Sequence, residues 1–236
     1  MIETIDSLRT WTNQNSGFTT VIIFLLTLFL GWVSGIFQAL RNHPKFILRV
    51  ISGPTLCSLF FTDREYQGHK THRFAVALYL EITNKGSAPS DIGKISVAYH
   101  NYSFIHTFFW YWLNEETTSL RDFSTKIGED IKVYPFLKQV STIIPNERGT
   151  YLRIGEVANG IVYFEQEECW GSYRPRIKNG YVKFKIKVKD TFGSSHRKSV
   201  WIPIVSLEKA QEFNAEFGMT REKIRSQTVA QAENDK

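Results

Sequence analysis

Between Phe18 and Leu40 the chain reads FTTVIIFLLTLFLGWVSGIFQAL, 23 consecutive positions without a charged side chain. As a helix rising 1.5 Å per residue, this run covers roughly 35 Å and satisfies its own backbone amides, which suffices to cross a bilayer with some tilt. The 17 residues before it hold only Arg9 as a basic side chain, and no small-residue cleavage site follows a short apolar core. The pattern therefore predicts a retained anchor in place of a removed leader. Glu3, Asp6 and Arg9 precede the run, whereas Arg41, Lys45 and Arg49 follow it with no acid before Asp63. That bias puts the larger, C-terminal part on the cytoplasmic side of a cell inner membrane.

Beyond Pro44, which ends the helical pattern, the period changes to two. Phe74, Val76, Leu78, Leu80 and Ile82 alternate with Ala75, Ala77, Tyr79, Glu81 and Thr83, the signature of a strand with one buried face. Val182, Phe184, Ile186 and Val188 alternate with Lys183, Lys185, Lys187 and Lys189; a turn at 190–193 then leads to a returning strand over 198–205. Further strands are predicted at 46–51, 56–62, 92–99, 151–154 and 160–165, with an edge strand at 132–136. After Ser206, a cap residue, the chain turns polar and charged, and helical spacing runs from Leu207 to about Phe217, with a pattern that can resume as far as Gln231. The expected organisation is an N-terminal segment 1–17, a transmembrane helix 18–40, a β-domain 45–206 and a charged helical tail 207–236.

The segments LEITNKGSAPSDIGKISVAY (80–99), YLRIGEVANGIVYF (151–164) and VKFKIKVKDTFGSSHRKSVWIPI (182–204) resemble the strand endings of bacterial, membrane-anchored immunoglobulin-like β-sandwich proteins. The resemblance implies a mainly β fold, an antiparallel immunoglobulin-like sandwich behind the single N-terminal transmembrane helix. The tryptophan between two bridged cysteines found in antibody-type domains has no counterpart here, so the likeness is to the wider superfold and implies no particular activity.

Composition sharpens the picture at a few points. The two cysteines, Cys57 and Cys169, have no metal or redox spacing and fit buried thiols in a reducing compartment. A net charge of +6 suits a protein beside anionic lipid, and nucleic acid is not needed to explain it. Between Gly171 and Val200 stand Arg174, Arg176, Lys178, Lys183, Lys185, Lys187, Lys189, Arg197 and Lys198 against Asp190 alone. Such a concentration is a candidate for anionic headgroups or a phosphorylated small molecule; the competing reading is a solvated face that deters edge pairing.

The run FIHTFFWYWL holds Phe104, Phe108, Phe109, Trp110 and Trp112, candidates for a partner or membrane interface. As a helix, Ile105, Phe108, Phe109 and Trp112 would share one side; as a strand the run is core. Gly31 and Gly35 form a GxxxG step suited to helix self-association, and glycines in a tilted span are the plain alternative. His69-x-x-His72 with Cys57 and His100 is a weak metal pattern, and Ser194, Ser195 and His196 are adjacent without a nucleophile elbow. Glu165, Glu167 and Glu168 read as solvated acids. The expectation is a non-enzymatic binding or adaptor subunit without catalytic residue, metal or cofactor. Its partners are lipid and a protein or second copy through the helix. The alternative is an oligomerising membrane effector, for example of bacterial defence, whose basic face senses a phosphorylated ligand.

Overall fold

The uncharged run folds as helix α1, Ser16–Val33, in a computed structural model of the chain, which describes residues 7, 10–34, 42–101, 109–119, 121–139, 143 and 149–226. At 18 residues α1 is long and apolar enough to cross a membrane, and none of its residues is buried. It begins two positions before Phe18, while the expected end at Leu40, and Gly35 with it, lies outside the described residues. Thr20 and Thr27 donate their hydroxyls to the carbonyls of Ser16 and Ile23 at 2.8 Å, so neither side chain leaves an unsatisfied donor on the helix surface. The chain divides into two compact units, Met1–His43 and Pro44–Lys236.

The second unit is mainly β and its named sheets are antiparallel. Among the described residues its strands are β1 (Phe46–Val50), β2 (Leu56–Tyr66), β3 (His69–Asn84), β4 (Ser90–His100), β5 (Trp110–Leu113), β6 (Phe123–Ile127), β7 (Asp130–Tyr134), β8 (Tyr151–Leu152), β9 (Val157–Glu165), β10 (Cys169–Trp170), β11 (Ile177–Lys178), β12 (Tyr181–Asp190) and β13 (Ser195–Pro203). In the first sheet β3 is central. Along one edge it pairs with β2 and then β1, and along the other with β10 and then β9. In the second sheet β12 lies between β13 and β4, and β4 carries β5 and the short β8 on its far side.

One apolar cluster joins the two sheets. Phe74, Val76, Leu78, Leu80 and Ile82 of β3 meet Ile95, Val97 and Tyr99 of β4 and Val182, Phe184, Ile186 and Val188 of β12. Phe74 stacks on Phe184 with ring centroids 5.9 Å apart and meets Tyr99 edge-on at 5.1 Å. The Tyr99 hydroxyl donates to Gln166 Oε1 at 2.9 Å, so the one polar group this aromatic cluster buries is satisfied across the sheets.

The alternation in β3 predicts a single buried face, and the structure corrects this: Ala75 and Ala77 are as fully buried as Phe74 and Val76. They belong to a second cluster with Phe123, Tyr134, Phe136, Ile161, Tyr163, Ala210 and Phe217, so the outer side of the first sheet is roofed by the β6–β7 hairpin and the C-terminal segment. The expected helix from Leu207 to Phe217 is also shorter. Helix α2 spans Leu207–Gln211, with the Ser206 hydroxyl accepting the Lys209 N–H as expected, and the chain then turns until residues 220–226 are helical again. Gly218, at φ +78°, serves these turns, and Phe217 is drawn into the second cluster beside Tyr163.

Candidate functional site

The lysine row and the aromatic run, about 70 residues apart in sequence, meet on the outward face of the second sheet. Because β12 has its apolar side chains in the core, Lys183, Lys185, Lys187 and Lys189 face away from it. Strand β4 is both the neighbour of β12 and the partner of β5, pairing Ala98 with Lys185 on one side and with Trp112 on the other. Lys185 Nζ comes to rest 4.4 Å from the centre of the Trp110 ring, and Lys187 Nζ 4.2 Å from that of Trp112. Lys183 Nζ lies over Trp201 of β13 at 6.0 Å. Each ammonium sits within cation–π range of an indole, an arrangement that partly desolvates the charge and holds the long side chain down.

Small residues make this possible. Ser96 and Ala98, which the register sets beside Lys187 and Lys185, have no exposed surface although they lie on the outward face, so the lysine stems and indoles close over them. Partial burial pushes the Lys187 ammonium below its ordinary pKa, and Lys189, Arg197 and Lys94 push the same way. His100 stacks on Trp110 with centroids 3.9 Å apart. Its imidazole is held below its ordinary pKa chiefly by burial, with Lys183, Lys185 and Arg176 adding to the effect. The face therefore combines clustered positive charge with planar aromatic surface, a chemistry suited to contact with an anion.

Other expected residues fall in different places. Arg197 sits opposite Lys187 and joins the face, but Lys198 sits opposite the core residue Ile186 and so projects from the other side of β13. Arg174 is set apart as well: its charge acts on His72 of β3. The helical reading of the aromatic run fails over 110–113, where β5 puts Trp110 and Trp112 outward and Tyr111 and Leu113 against the core. Phe104 and Phe108 lie outside the described residues, and Phe109 is 70% exposed. Trp201 escaped the sequence reading, although the alternation of the returning strand opposite the lysines was a usable signal.

A second feature is a cleft of about 910 Å³ where the C-terminal segment meets the first sheet, lined by Arg64, Arg73, Glu165, Glu167, Glu168, Arg221 and Glu222. Glu165, read from sequence as a solvated acid, is 2% exposed, and burial raises its carboxyl above the usual range. Glu168 accepts the hydroxyls of Thr62 and Thr71, which lower its pKa. Ion pairs of Arg73 with Glu222 at 2.7 Å and Arg221 with Glu167 at 3.4 Å tie the tail to the sheet, and Arg64 pairs with Glu168 at 3.2 Å beside them. Among the described residues no three His, Cys, Asp or Glu side chains gather as a metal site would require. His196 has its Nε2 2.9 Å from Asp190 Oδ2, and its Nδ1 accepts the Phe46 amide at 3.2 Å, so Ser194 and Ser195 are not its partners. No protein-family model matches this chain, and no curated protein matches it either.

Proposed function

We propose that the protein is a non-enzymatic, membrane-anchored binding subunit, held by α1 in a cell inner membrane with an immunoglobulin-like β-sandwich on the cytoplasmic side. Its working surface is the outward face of the second sheet. The observation that carries this reading is the pair of ammonium groups, Lys185 and Lys187, seated 4.4 and 4.2 Å over Trp110 and Trp112. Indoles already ordered by the lysines lose little entropy on contact, and tryptophan is the residue most often found at the energetic centre of interfaces. The surplus of cations around them selects an acidic surface on the partner. The test is purification of the full chain in mild detergent. A stoichiometric acidic partner should co-purify and be lost on Trp112→Ser or on Lys187→Glu, while the melting temperature stays within a few degrees. Co-purification unaffected by both changes would sink the reading.

A second reading draws on the cations gathered about Lys187, whose ammonium is pushed below its ordinary pKa first by burial and then by Lys189, Arg197 and Lys94, charges that a bound phosphate would offset. Here the protein is an oligomerising membrane effector and the same face senses a phosphorylated small molecule. A nucleotide that raises the melting temperature of the full chain, with the rise abolished by Lys185→Glu and Lys187→Glu together, would favour it. Absence of a shift with any nucleotide, beside a co-purified protein, returns the first reading.

A further inference from the structure

We propose that the end of the β-domain at which the chain arrives from the anchor is a separate lipid-docking surface, resting on anionic headgroups with Phe192 and Ile154 as its apolar contacts. Two stretches distant in sequence, the first residues of the domain and the β8–β9 turn, converge there with the β3–β4 loop on Asn84. The Asn84 side-chain oxygen accepts the amides of Lys45 and Gly86, its side-chain amide donates to the carbonyls of Ala88 and Leu152, and its backbone carbonyl accepts the amide of Gly155. Ser90 joins Thr191 through their hydroxyls at 2.8 Å, and the His196 ring accepts the Phe46 amide. The β8–β9 turn, the β3–β4 loop, the β12–β13 turn and the first residues of the domain thus form one rigid end.

What this end presents is unlike an ordinary solvated loop cluster. Phe192, at the tip of the β12–β13 turn, is 66% exposed, and Ile154, at the tip of the β8–β9 turn, is 60% exposed. Around them Lys45, Lys85, Arg153 and Lys189 are exposed. Of the acids nearby, Asp190 is buried against His196 and the Ser194 amide, Glu156 accepts the Arg153 amide at 2.8 Å, and Asp91 is half-buried. Single apolar tips set among cations match the boundary between acyl chains and anionic headgroups. The exposed tip of the β6–β7 hairpin makes the contrast, because its Ile127 and Ile131 flank Glu129 and Asp130 and are balanced by Lys126 and Lys132 only. Chain length supports the same occupant. Three residues separate Leu40, the last of the apolar run, from Pro44, and the four steps along the chain reach at most about 14 Å.

The inference rests on α1 being in the bilayer but not on the partner of the tryptophan–lysine face, which stays open to the cytoplasm. The experiment uses the full chain with Cys169→Ser, carrying one environment-sensitive dye on Phe192→Cys, Ile154→Cys or, as control, Ile131→Cys. Each is reconstituted in lipid nanodiscs with or without phosphatidylglycerol and with a nitroxide on the upper acyl chain. Dyes at 192 and 154 should be quenched at least twofold more than the dye at 131 in anionic discs. Lys45→Glu with Lys85→Glu should remove that difference. Equal quenching at all three positions overturns the docking surface, as does a difference indifferent to phosphatidylglycerol. Failure of the protein to co-elute with the discs overturns the anchor and this inference together.

Discussion

His196 takes the backbone N–H of Phe46 on Nδ1 at 3.2 Å and lies against the Phe46 ring with centroids 4.8 Å apart. This one side chain fastens the first strand of one sheet to the last strand of the other. Since Nδ1 accepts, the ring proton is on Nε2 and is donated to Asp190 Oδ2 at 2.9 Å, where the carboxylate is wholly buried. His196→Ala removes the donor and leaves that carboxylate with the Ser194 amide alone. The expected cost is about 2 kcal/mol, that of a hydrogen bond lost to a buried carboxylate, measured by denaturant unfolding of the detergent-solubilised chain. Adding Asp190→Asn should recover part of it, because a neutral amide short of one partner costs less to bury than a carboxylate does. A single mutant as stable as the parent would show that Asp190 finds another partner.

A close backbone approach sets the second expectation. Gly160 of β9 lies under the chain at 136–137, where a Cβ would meet Leu137 N at 2.4 Å and Leu137 Cα at 2.5 Å. The contact is held by two backbone hydrogen bonds, Leu137 to Ile161 at 3.0 Å and Ile161 to Pro135 at 2.8 Å. Backbone cannot swing aside as a side chain would, so Gly160→Ala should cost roughly 3 kcal/mol, a fall in Tm of about 10 °C. Hydrogen exchange should report the loss first at the amides of Leu137 and Ile161. Unchanged protection at both would mean the two segments can part without loss.

Burial of Glu165 makes a pH-dependent expectation. Its carboxyl is raised from the ordinary value of 4.5, first by desolvation, against the opposing pull of the Arg221 amide and of Arg73 and Arg221 charges. Above 4.5 the native state therefore holds a proton more firmly than the unfolded chain, and stability must fall as pH rises through the folded-state value. Glu168, lowered by the Thr62 and Thr71 hydroxyls, contributes with the opposite sign, its stabilisation being lost as pH falls. Comparing the parent with Glu165→Gln isolates the first effect. The variant should melt higher at pH 7, with the gain shrinking toward pH 4.5. A variant that melts lower at pH 7 would show that the charged carboxylate is favoured by its arginines.

How much of this was legible in sequence follows from how local each feature is. The rows Val182 to Val188 and Lys183 to Lys189 reveal a half-buried strand because one face of β12 meets the core and the other does not. Strand β3 misled for the converse reason: Ala75 and Ala77 are too small to look apolar by pattern, yet the roof over them comes from residues 123–136 and 210–217. Likewise, nothing near Phe217 distinguishes a docked tail from a solvated one. The seat of Lys187 on Trp112 needs β4 between β5 and β12, a pairing that no local periodicity encodes.

The anchor carries the last expectation. Gly17, Thr20, Phe24, Thr27 and Gly31 of α1 and its C-cap Ser34 recur at alternating steps of three and four, the spacing of a heptad seam, and all of these but Phe24 are small. Thr20 and Thr27 are bonded to their own helix, which leaves them as compact, satisfied surfaces over which a second helix can pack. If a second copy packs there, Gly31→Leu should hold the backbones apart and lower the dimer fraction in detergent crosslinking several-fold. Leu30→Ala, off the seam, should leave it unchanged. Equal effects of the two substitutions would assign association to general apolarity of the span, and no crosslinked dimer in the parent would remove self-association from the account.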